Sequence, residues 1–385
     1  MIVSSRWLRL AAPLLALWLA ACSSNPYAVE PNPVPSVDKS LKVHKLWRHD
    51  TGAGLDDEVG ARLRPAVTLS QIFAADVNGR VSGFVRDSGK RQWKVKTGYR
   101  ISGGLYAGYD KVLFGTRDGQ AVALSATDGR VLWHTQLSSE VLSVPTSDGN
   151  RAVFQTQDGQ ISALDMNTGK VLWNYSVTVP NLILRGAATP LVDGGIVYVG
   201  LASGKVVALG MNDGTPLWEE QVAMPTGTSE LDRLVDIDNN LIVDQGGLFA
   251  STYQGKVAVM DAQHGQLFWG RDISTYTPMS NRGSTLFIAG ADGDVTAVNE
   301  RDGAFTWQQK ALHGRHLIGT VIQDGRVVTG DFEGWLYWLD PADGKLLARK
   351  HVADAFAGVP VVYDDVLYVL ADNGKLSAYS IEAKK

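Results

Sequence analysis

The chain has a single cysteine in 385 residues, Cys22, so a disulfide within it is excluded. It has no run of lysine or arginine. Its formal charge is −4, and removal of an N-terminal leader carrying Arg6 and Arg9 takes this to −6. Such a balance lacks the basic footprint of a nucleic-acid binder. The longest apolar run, residues 10–19, falls short of the roughly 20 residues a membrane-spanning helix needs. The signatures of hydrolytic and phosphate chemistry are missing too: there is no Gly-x-Ser-x-Gly elbow and no P-loop. Asp236-x-Asp238-x-Asn240 opens like a calcium loop, but Leu241 stands where glycine must turn and Gly247 where a bidentate glutamate must close it. The histidines are scattered, and neither His313 nor His316 has a neighbouring cysteine or carboxylate cluster to complete a zinc site.

The N-terminus carries an address. Arg6 and Arg9 form a basic region, residues 10–19 an apolar one, and small residues lead to Cys22. Leu19-Ala20-Ala21-Cys22 resembles a bacterial lipobox. That resemblance implies cleavage after residue 21 and acylation of Cys22 on both sulfur and amine, with several acyl chains giving stable anchoring. Ser23, rather than aspartate, implies the outer membrane. Residues 1–21 are therefore expected to be a signal peptide and 22–40 a lipidated tether. Pro26, Pro31, Pro33 and Pro35 make the tether an extended, poorly ordered spacer in expectation.

What the chain has in abundance is punctuation. Gly79, Gly119, Gly159, Gly204, Gly255, Gly293, Gly334 and Gly374 recur 38 to 51 residues apart. A second glycine follows ten residues after each of the first seven, from Gly89 to Gly344, and four further on stands Trp93, Trp133, Trp173, Trp218, Trp269 or Trp307. Alternating apolar runs lie between Asp-Gly and Thr-Gly turns, the sign of tight hairpins. A period near 40 with four strand-like runs per unit reads as an all-β propeller of four-stranded antiparallel blades. The eighth unit stops before its fourth strand, whereas residues 41–47, ending in Trp47, stand unassigned ahead of the first. Pairing the two gives an eight-bladed β-propeller over residues 41–385, its last blade closed by the N-terminal strand and no sheet edge left over. Blade seven departs from the pattern. Ala348 occupies the tryptophan position, and Trp338 a third-strand position where Ala123, Ala163, Ala208, Ala258 and Ala297 stand elsewhere, a volume exchange in expectation.

Binding on a repeat fold concentrates where the repeat is interrupted. The two longest connections measured between the units flank blade four. One holds Leu182, Leu184 and Arg185. The other holds a carboxylate cluster ending in Asp236 and Asp238. They belong on one face, where apolar anchors with mixed charge suit a protein interface.

Residues 163–173, Ala-Leu-Asp-Met-Asn-Thr-Gly-Lys-Val-Leu-Trp, are similar to the repeat of quinoprotein dehydrogenases, propellers that use pyrroloquinoline quinone and calcium. Those enzymes carry a vicinal disulfide and large insertions that this chain lacks. A quinone-dependent periplasmic oxidoreductase is therefore the alternative reading. Over its whole length the chain more closely resembles the BamB family, the propeller lipoproteins of the outer-membrane β-barrel assembly (BAM) machinery. Its specific motifs are residues 182–186, Leu-Ile-Leu-Arg-Gly, and 230–238, Glu-Leu-Asp-Arg-Leu-Val-Asp-Ile-Asp. The resemblance implies a non-enzymatic scaffold without cofactor or metal, anchored through Cys22 and facing the periplasm. It implies that Leu182, Leu184, Arg185, Asp236 and Asp238 face the POTRA domains of BamA. It also implies assistance to the folding and insertion of β-barrel clients, with direct contact to unfolded clients as a further expectation.

Overall fold

The computed structural model describes residues 30–55, 62–186 and 188–384. The signal peptide, Cys22 and the first part of the tether lie outside them.

Among the described residues there are eight four-stranded antiparallel sheets, seven of them simple meanders. Blade three is typical, with strands A to D at Thr146–Ser147, Arg151–Gln155, Gln160–Asp165 and Val171–Ser176. Strands B and C are buried almost throughout. Strand D is the outer edge, and in blade three its exposed positions, Leu172, Asn174 and Ser176, alternate with Trp173, its one buried residue, and the half-buried Tyr175. The A strands line the axis and touch their neighbours around it, including Val361–Tyr363 of blade eight against Ala66–Val67 of blade one. The ring is closed as expected: Leu41–Asp50 pairs antiparallel with Lys375–Ala383 as the fourth strand of blade eight.

The glycine and tryptophan spacings have one physical cause. Each strand-D indole lies on the C–D turn of the next blade. From Trp47 to Trp307, seven Nε1 groups donate to a backbone carbonyl of that blade at 2.8–3.2 Å. The turn glycine beneath each indole has φ between +65° and +76°, and a Cβ there would sit 2.5–2.7 Å from the ring. Glycine is thus required twice over, for its backbone and for its missing side chain.

Blade seven breaks the series because of the closure. Strands C and D of blade eight come from opposite ends of the chain, so no C–D turn exists there to receive an indole. Trp338 and Ala348 are direct cross-strand partners, so the volume exchange is real. Trp338 packs in the apolar cluster it shares with Leu367, Val369 and Tyr379 of blade eight, and its Nε1 donates to Gln323 Oε1 at 2.8 Å. Gln323 Nε2 in turn donates to the carbonyls of Asp365 and Tyr379. One expectation needs correction: in blade five the residue opposite Trp269 is Val259, not Ala258, which pairs with Gly270.

The tether is also corrected. Residues 30–40 have no regular structure, yet they are laid along blade seven rather than held away as a spacer. Val34 and Val37 pack on the apolar cluster shared by blades six and seven. Asn32 N donates to His313 O, and Arg349 Nη1 to the carbonyls of Val34 and Pro35. Arg315 is buried, bonded to Asp331 and Glu333, and donates to Asn32 O at 2.8 Å. Arginine suits this position because its fork satisfies several acceptors at once.

Candidate functional site

The D–A connections and B–C turns share one face of the disc, and the three longest D–A connections are residues 51–65, 177–190 and 222–241. The latter two are those picked out in the sequence. They lie side by side across blade four, as expected, and their contents divide into an exposed layer and a buried one.

The exposed layer carries Leu182, 39% accessible, and Arg185, whose Nη2 bonds both oxygens of Glu140 on the connection between blades two and three, at 2.9 and 3.2 Å. Leu184 is half-buried. The neighbouring connection adds Met224 and Leu231, 69% and 64% accessible, neither singled out in the sequence. Side chains of this kind, held on a rigid disc, suit protein recognition.

Asp236 and Asp238 form the buried layer, 1% and 5% accessible. Asp236 Oδ1 accepts the Leu184 N–H at 2.9 Å, which ties one connection to the other. Burial pushes its carboxyl up to about 7. The Asp238 charge adds to the shift, and the Leu184 N–H opposes it. Burial raises Asp238 too, against the pull of Arg62. Arg62 donates to Asp238 O at 3.2 Å and to its Oδ2 at 3.3 Å. It arrives from residues 51–65, the connection between blades eight and one, half a ring away from the one that carries Asp238. The ion pair therefore spans the propeller axis. Gly186 makes this approach possible, since a Cβ there would lie 2.6 Å from Asp238 Cγ and nearer still to Oδ2.

Sequence reasoning missed Arg62 and Glu140. The signal for Arg62 was available: the gap from Trp47 to the first A strand is as long as the one before blade four. Glu140 sits in a connection of ordinary length and gave no signal. A second correction concerns His313. Asp292 and Asp294 are brought beside it, with one potential ligand atom from each of the three within 4.8 Å of the others. His313 Nδ1 is 2.9 Å from Asp294 Oδ1, and Gln308 Nε2 donates to Asp294 Oδ2. This group neighbours the docked tether through the Asn32–His313 bond.

Fold and face together define an eight-bladed β-propeller of quinoprotein-type repeats, with extended connections gathered on one side. The family model described as "Outer membrane protein assembly factor BamB" matches residues 77–309 and 291–384. Curated proteins of that name are similar over nearly their whole length. The one from Pseudomonas aeruginosa is 37% identical, over 98% of this chain and 99% of that protein; the one from Escherichia coli K12 is 32% identical, over 94% and 95%. The crystal structure of BamB from Moraxella catarrhalis has a TM-score of 0.82 at 27% identity, covering 88% of this chain and all of that one. The chain belongs to the BamB family. A europium-containing methanol dehydrogenase shares the fold alone, with a TM-score of 0.72 at 13% identity over 88% of this chain and 93% of that one.

Proposed function

We propose that this protein is a non-enzymatic scaffold of outer-membrane β-barrel assembly, held to the outer membrane by acylated Cys22 and facing the periplasm, and that Leu182, Leu184 and Arg185 bind the POTRA domains of BamA. Family membership carries the first part. The second is supported by the placement of an apolar anchor and an arginine on adjoining connections of one face. In this reading Asp236 and Asp238 are positioning residues. Their burial leaves them no surface to offer a partner, and they hold the ridge from below.

The tether supports the same orientation. Glu30 leaves the propeller beside Gly314, in the D–A connection between blades six and seven, on the face that carries the ridge. Glu30 is the eighth residue after Cys22, so the D–A rim at that point is within about 28 Å of the lipid attachment site. The quinone-dependent alternative is favoured by the fold only.

The test is binding of purified BamA POTRA domains to variants of the folded propeller. Arg185→Ala, and Leu182→Ala with Leu184→Ala, should each weaken binding at least tenfold, about 1.4 kcal/mol, as truncation of an interface anchor does. Arg185→Ala should leave the unfolding midpoint nearly unchanged, because an exposed ion pair contributes about 0–1 kcal/mol. Wild-type affinity in both folded variants would show that the ridge is not the contact.

A further inference from the structure

A cavity of about 290 Å³ lies on the propeller axis and is lined in part by the Arg62–Asp238 pair. Its walls include Leu142, Ile318 and Phe356, and Arg64 and Asn239 add polar groups. A second cavity of about 260 Å³ shares Arg64, Asn240, Pro278 and Val359 with it, so Arg64 stands where the two meet. The docking ridge is elsewhere: neither Leu182 nor Arg185 lines either space.

The charges in this space do not balance. Arg62 is answered by Asp238. Arg64 is not: among the described residues no carboxylate bonds it, and burial alone pulls its guanidinium below the ordinary arginine range. Arg64 is only partly buried, and it stands on the cavity wall with its charge left for a bound anion to answer.

The position of Arg64 is built rather than incidental. Its carbonyl accepts the Leu105 N–H at 3.2 Å. Gly104 leaves room for it, since a Cβ there would stand 2.9 Å from Arg64 Cβ. Gly358 does the same for the preceding residue, where a Cβ would overlap Leu63 O. The connection is thus pinned on two sides, and Arg64 lines both cavities.

We propose that the axial cavity is a binding site for a small organic carboxylate with an apolar body. Its carboxylate pairs with the fork of Arg64, and the apolar part lies against Leu142, Ile318 and Phe356. Arginine is matched in shape to a carboxylate, which makes two parallel charge-assisted bonds. A bare inorganic anion satisfies the charge and leaves the apolar wall unfilled.

Titration calorimetry of the purified propeller with benzoate, benzamide and inorganic phosphate tests this. Benzoate is expected to bind one to one, at least tenfold tighter than the neutral benzamide and at least tenfold tighter than phosphate. Arg64→Met should erase the preference for benzoate over benzamide, and the unliganded variant should unfold at no lower denaturant than wild type. Arg64→Lys, which keeps the charge and loses the fork, should fall between, and it serves as the readout if Arg64→Met fails to fold. Equal binding of benzoate and benzamide, no binding of benzoate, or an affinity unchanged in both Arg64 variants would each overturn the proposal. Phosphate binding as tightly as benzoate would overturn the assigned ligand class.

Discussion

Replacing Gly186 by alanine probes the link between the exposed ridge and the buried carboxylates. Gly186 does not have a positive φ, so alanine meets no backbone strain there. By restricting the unfolded chain it should stabilise by about 0.4–1 kcal/mol. Against that stands the added methyl, 2.6 Å from Asp238 Cγ. Relieving such an overlap costs about 1–3 kcal/mol. The atom that must yield is also the one that holds Arg62 across the axis at 3.3 Å. The steric term wins, and the net loss should be about 1–2 kcal/mol. Urea unfolding measures it directly. In an Asp238→Ala background the obstruction is gone, and the same glycine change should become neutral or stabilising. The two backgrounds should therefore differ by about 1.5–3 kcal/mol, a coupling typical of residues in contact. Affinity for the POTRA domains should fall with Gly186→Ala, because residue 186 adjoins Arg185. An equal loss of stability in both backgrounds would refute the reasoning, since the contact with Asp238 would then not be its source.

Asp236 predicts a pH dependence. Its folded-state carboxyl lies near 7, above the ordinary value of about 4, so its contribution to stability is intact below about pH 4 and is lost as the pH rises to 7. Asp236→Asn, which keeps an acceptor for the Leu184 N–H, should gain up to about 2 kcal/mol relative to wild type between pH 5 and pH 8, read from urea midpoints at the two values. A constant difference would contradict the assignment. Deleting residues 41–47 should expose the edge of blade eight and lower the melting temperature far more than deleting 23–29; deleting 23–40 should fall between, because 30–40 are docked. Equal melting of all three truncations would rule out the closure. Ala348→Trp should destabilise by about 2 kcal/mol through overpacking against Trp338, and adding Trp338→Ala should not restore wild-type stability, because blade eight has no C–D turn to accept the indole. Full recovery in the double variant would mean that volume alone decides.

By itself the sequence determined the architecture. Propeller blades are built from contacts between residues near in sequence, so each blade writes its turns and strands into its own forty residues. The glycine and tryptophan beat survives because each indole needs a turn without a side chain beneath it. The closing strand was legible for the same reason: a missing fourth strand and a spare one were both visible, Trp47 included. The two loops of the ridge were legible as departures from the beat. Tertiary structure alone decided which of their residues are surface and which are support. Asp236 and Asp238 are indistinguishable in sequence from the exposed acids before them, and only the packing of neighbouring blades buries them. The partners of Arg185 and Asp238 follow from the ring. Glu140 comes from a neighbouring connection and Arg62 from half a turn away, and sequence distance around a closed ring carries no information about what meets at its axis. The tether shows the same limit. Its prolines correctly forbid a strand, but Arg315 and Arg349, roughly three hundred residues later, hold it on the disc.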